Sequence, residues 1–156
     1  MPAPSAVPET SLELLRTFAA PIEKVFDAFT RPEILERWFT QARKHEQKVQ
    51  ITEQDLRVGG RMRLVNTLAN GDVYRLECEY REVSPPRRLV FTFTWTSHPN
   101  HGDSVVTVDL EPLDPQRTQV RFRQDRFPSV KSRDEHLGGW IECFDVLQEE
   151  LPQFLK

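Results

Sequence analysis

The chain has 156 residues, with 21 basic and 24 acidic side chains and a net charge of −3. That length suits one domain with a real core, and the interspersed charge has neither the basic stripe of a nucleic-acid binder nor the acidic block of a solvating tail. No stretch approaches the ~20 consecutive apolar residues of a membrane span, and residues 1–11 carry no basic residue or apolar run of the kind a secretory signal needs, so a cytoplasmic protein is expected.

Residues 1–10 hold Pro2, Pro4 and Pro8 among small residues and read as a disordered tail ahead of a single domain over 11–156. Residues 12–18 alternate as a strand, with Leu14, Arg16 and Phe18 on one side. Pro21 opens a short helix over 21–29 with Ile22, Val25, Phe26 and Phe29 at helical spacing, and Pro32 opens a second one carrying Ile34, Leu35, Trp38 and Phe39. A weakly patterned strand is predicted over 44–52, followed by a Gly59-Gly60 turn. Strands over 61–68 and 73–83 flank Asn70-Gly71, the strongest hairpin signal in the chain. After Pro85-Pro86, residues 88–96 alternate Leu89, Phe91, Phe93 and Trp95 against Val90 and threonines. Further strands are expected over 104–111 and 117–127, separated by a turn over 112–115. One-sided alternation on successive strands predicts an antiparallel sheet with one solvated face.

Residues 132–156 read as a long amphipathic helix. Ser132 and Glu135 make a capping box, and Leu137, Trp140, Cys143, Phe144, Leu147, Leu151, Phe154 and Leu155 fall on one face. An apolar stripe over ~25 Å long needs a concave surface to lie against, which the sheet supplies. The predicted fold is α+β: a curved antiparallel sheet wrapped around a long C-terminal helix, with two short helices after the first strand. Cys78 and Cys143 lie far apart in regular elements and read as buried thiols. Gly138-Gly139 suggests either close backbone approach or a helix that starts later.

An ordered set of short segments then points to a family: residues 16–21 (RTFAAP), 32–38 (PEILERW), 55–60 (DLRVGG), 82–89 (EVSPPRRL) with Trp95, and Gly139-Trp140. The chain resembles the AHSA1-like group, homologues of the activator of Hsp90 ATPase, within the helix-grip START and Bet v 1-like superfamily. The resemblance implies a hydrophobic cavity between sheet and terminal helix, no universal catalytic residue, and no cofactor. Its partners would be a small hydrophobic molecule or, by family name and with a stress-response setting, a chaperone. A monomer or homodimer is expected, and an enzyme of the cyclase or hydrolase kind is the third alternative.

The ligand-lining residues expected on that basis come from three places. Trp38 and Phe39 belong to the short helices. Met62, Leu64, Tyr74, Leu76, Tyr80, Phe91, Phe93, Trp95, Phe122 and Gln124 belong to the strands. Trp140, Phe144 and Leu147 lie on the terminal helix. Plain core packing is the competing reading for every aromatic among them. Arg16, Asn66, Tyr74, Tyr80, Gln124 and Arg126 share inner faces with apolar neighbours and each needs a partner or a ligand there. His98, His101 and Asp103 lack further ligands at a recognisable spacing, so no metal site is expected. His136 falls at the edge of the apolar helix face, where it would titrate at a cavity mouth. Cys143 has no His or acid at triad-like spacing and reads as a structural thiol.

Overall fold

Period-two burial on the strands and a one-sided terminal helix build the molecule. The computed structural model describes residues 10–41 and 45–155. Its strands are β1 (Leu12–Phe18), β2 (Lys48–Gln54), β3 (Arg61–Thr67), β4 (Val73–Ser84), β5 (Arg88–Trp95), β6 (Asp103–Asp114) and β7 (Arg117–Asp125). They form one antiparallel sheet in the order β1-β7-β6-β5-β4-β3-β2. The meander from β2 to β7 follows from short turns. β1 closes onto β7 because helices α1 (Ile22–Thr30) and α2 (Pro32–Trp38) carry the chain across to the other edge. Register shifts at Ile51/Glu53, Tyr80/Glu82 and Pro112/Asp114 let the sheet bend, since a bulge adds a residue to one strand and increases local twist. The expected tail over residues 1–9 and the start of the second strand at Lys44 lie outside the described residues.

The terminal helix α3 (Val130–Glu150) begins earlier than the capping-box reading placed it. Ser129 is the N-cap, its Oγ accepting the Ser132 amide at 3.0 Å. Ser132 therefore sits inside the first turn, 4% exposed. The α-helix stops at Glu150, and Leu151–Phe154 continues as a 3-10 turn around Pro152, which has no N–H to extend the ladder. Leu155 is exposed, whereas Val146 and Glu150 are buried, so the inward face is rotated slightly from the expected stripe. Gly138 meets no heavy atom where a Cβ would stand, which rules out close approach there. Close approach is real at Gly60, where a Cβ would stand 2.0 Å from the Asp55 carbonyl oxygen.

The core has its densest aromatic packing under the middle of α3. The Phe144 ring lies 5.3 Å from Phe122, 5.9 Å from Phe18, and 6.1 Å from both Phe29 and Trp38. Edge-to-face pairs of this kind add about 0.5–1.5 kcal/mol each beyond area burial. Trp38 is fixed by its indole N–H donating to the Ala28 carbonyl at 2.9 Å. Arg16, on the inner face with Leu12 and Phe18, reaches the rim of that face and pairs with Asp145 on α3 at 2.7 Å, its guanidinium over the Phe144 ring. Polar alternation puts a ladder of ion pairs on the outer sheet face, such as Arg88 with Asp109 and Arg121 with Glu13. Among the described residues no helix is long and apolar enough to cross a membrane.

Candidate functional site

The N-terminal half of α3 borders a space that side chains do not fill. A cleft of about 320 Å³ opens there between β3, β4, β5, the helix and the 3-10 turn Phe39–Gln41. Phe39, Tyr74, Phe93, Trp95 and Trp140 form its aromatic wall. Neighbouring rings meet nearly at right angles: Phe39 and Trp140 at 5.2 Å, Phe93 and Trp95 at 5.4 Å, Tyr74 and Trp95 at 5.8 Å. Gly139 and Cys143 supply the helix side, and Leu68 adds an apolar side chain from the end of β3.

The remaining sequence-nominated residues do not line this space. Trp38, Phe122, Phe144 and Leu147 are locked into the ring cluster of the core, and Met62, Leu64, Leu76 and Phe91 are buried in the sheet layer. Tyr80 is buried too, held by Gln54 at 3.2 Å and the Met62 sulfur at 3.7 Å, and burial pushes its hydroxyl pKa up to about 12. Gln124, 0% exposed, is the centre of a buried relay. Its Oε1 accepts the Trp140 indole N–H at 2.7 Å, and its Nε2 donates to Ser104 Oγ at 2.8 Å. The Ser104 hydroxyl in turn donates a hydrogen bond to the Phe93 carbonyl at 3.0 Å. This relay fixes two walls of the cleft without touching its contents. Arg126, expected on an inner face, is exposed.

Polar groups gather at the other side of the cleft. His136 Nδ1–H donates to the Ser132 carbonyl at 2.8 Å, and its Nε2 accepts the Trp95 indole N–H at 3.1 Å. The Trp95 bond requires the neutral ring, because a protonated Nε2 cannot accept. Burial lowers its pKa below the ordinary imidazole value; the Ser132 carbonyl opposes that shift and His101, 4.8 Å away ring to ring, adds to it. His101 Nδ1 lies 2.7 Å from Ser132 Oγ, and its Nε2 lies 4.0 Å from Glu135. The Ser-His-Glu order resembles a hydrolytic triad, but Ser132 is buried and does not line the cleft, so its hydroxyl anchors His101 rather than facing a substrate.

His98, His101 and Asp103 diverge. His98 stacks on Tyr74 at 3.9 Å, while Asp103 accepts from Thr94 at 3.1 Å. Among the described residues no three such side chains converge as a metal site would need. Cys78 and Cys143 are buried and unbridged, and desolvation raises the Cys78 pKa.

Among the described residues three buried side-chain polar atoms lack a hydrogen-bond partner: Arg37 Nε, Thr40 Oγ1 and Asn66 Oδ1. Two of the three belong to residues that line this one cleft. Asn66 is 4% exposed and uses its Nδ2 to reach Gln47 at 2.9 Å, leaving the carbonyl oxygen bare at a cost of about 1–3 kcal/mol. Thr40 also holds φ at 59°, an unusual conformation for a β-branched residue. Alternation on β3 had turned Asn66 inward; no sequence signal marked Thr40, Gln47 or Leu68.

A family model described as Activator of Hsp90 ATPase homolog 1-like protein matches residues 19–152. Solved structures share the fold. A Chromobacterium violaceum protein is 24% identical with a TM-score of 0.83, covering 91% of this chain and 96% of that one. A Rhodobacter sphaeroides protein is 26% identical with a TM-score of 0.74, covering 97% and 96%. One from Staphylococcus epidermidis is 23% identical with a TM-score of 0.79, covering 97% and 94%. No curated protein matches the chain.

Proposed function

The chain belongs to the activator of Hsp90 ATPase homologue 1-like family, and from that premise we propose that it binds a small, mostly apolar molecule in the cleft beneath the N-terminal half of α3. The observation that carries this reading is a cleft of about 320 Å³ walled by five aromatic residues, at the lower end of the usual range for small-molecule sites. Well-packed interiors hold few voids larger than a water molecule, so a space of this size with a rigid aromatic lining suits a ligand better than a packing fault. Binding would be driven by apolar burial and oriented by the few polar groups.

The neutral fluorescent dye N-phenyl-1-naphthylamine tests this. The native protein should bind it one to one, with quenching of tryptophan emission from Trp95 and Trp140. Leu68→Trp, which places an indole at the partly exposed edge of the cleft, should abolish binding while the urea midpoint holds. Dye binding indifferent to Leu68→Trp, or confined to partly unfolded protein, refutes the reading. The chaperone alternative predicts stimulation of an Hsp90 ATPase, and stimulation that persists in Leu68→Trp would favour it over a ligand function.

A further inference from the structure

Resting on the reading of the cleft as a ligand site, we infer that its occupant carries a hydroxyl group on a ring-bearing apolar body, and that Asn66 and Thr40 select for that hydroxyl. Unpaired buried polar atoms are not spread over the molecule. Of the three among the described residues, two belong to residues lining this cleft, and they come from two different elements: Asn66 Oδ1 from β3 and Thr40 Oγ1 from the turn after α2. The first can only accept a hydrogen bond, and the second can donate or accept. A hydroxyl both donates and accepts, so one such group answers both walls, whereas an ether or carbonyl leaves Asn66 unmatched. Both atoms are covered by their surroundings. The soft terminal torsion of an Asn amide lets Oδ1 turn toward an entering donor, and Gln47, only partly buried, can follow its Nδ2. The rest of the lining matches an aromatic or alicyclic body, because the rings of Phe39, Phe93 and Trp140 lie 5.2–6.4 Å apart as a continuous apolar surface.

Calorimetric titration with naphthalene, 2-naphthol and 2-methoxynaphthalene separates this inference from the reading beneath it. The wild-type protein should bind 2-naphthol about tenfold or more tightly than the other two, because a polar site left unmatched rejects the analogue lacking the group. Asn66→Leu, close to it in size, should bring 2-naphthol to within about twofold of naphthalene. Thr40→Val should remove a smaller share of the preference. Equal binding of all three compounds to the wild-type protein, or a preference that survives Asn66→Leu, overturns the inference alone, since apolar binding persists. Failure of all three to bind removes the ligand site together with it. The wild-type comparison needs no variant to fold.

Discussion

Gln124→Met tests whether the buried relay holds the cleft wall. Methionine keeps the length and most of the volume, so little cavity forms and the polar loss is isolated. The Trp140 indole N–H, in a residue 4% exposed, loses the acceptor it now has at 2.7 Å. A buried donor without a partner costs about 1–3 kcal/mol. Ser104 keeps its bond to the Phe93 carbonyl but loses the Gln124 donor, for about 0.5–1.5 kcal/mol more. Removing the buried amide returns part of this, so the net destabilisation should be about 1–3 kcal/mol by urea unfolding. Trp140→Phe deletes the donor itself. In that background Gln124→Met should cost less, with coupling of about 1 kcal/mol or more in a double-mutant cycle. Dye affinity should fall in Gln124→Met as well, because Trp140 walls the cleft and loses its fixed orientation. A loss below about 0.5 kcal/mol, or simple additivity with Trp140→Phe, would show that the relay is incidental.

Two further outcomes follow from the separation of core and cleft. Phe144→Ala should cost about 3–5 kcal/mol in the urea midpoint, since Phe144 is fully buried among five rings, yet should leave the stoichiometry of dye binding at one because Phe144 is not in the cleft wall. A cost under about 1.5 kcal/mol would contradict the packing described. His136, held neutral by burial, should make stability pH-dependent. Above 6.5, its ordinary value, folded and unfolded chains are both neutral. Below it the unfolded chain takes up a proton that the folded chain does not until its own lowered pKa is reached, so stability falls as pH drops through that window. The urea midpoint should therefore fall further between about pH 7.5 and about pH 5.5 in the wild-type protein than in His136→Gln, and equal falls would refute the assignment.

Local patterns carried most of the architecture. Alternation in residues 88–95 orients Phe91 and Phe93 inward whatever they pack against, because strand side chains switch faces at every residue. The Asn70-Gly71 hairpin and the prolines opening the short helices likewise act through their own backbone preferences. Both Ser129 and Ser132 are capping residues by type, so local chemistry does not choose between them; the cap falls on Ser129, one turn before the expected one. The cleft was not legible in this way. Phe144 and Trp140 share one helix face and one pattern, yet the first is sealed by Phe18, Phe29, Trp38 and Phe122 while the second borders open space. Whether an inward aromatic becomes core or wall depends on how far the helix stands from the sheet at that point. Segments distant in sequence meet around the cleft: the turn at Thr40, the His101–Ser132 contact and the Gln124–Trp140 bond. Local periodicity settles which side chains face inward, and the way distant elements meet settles where those side chains leave a gap.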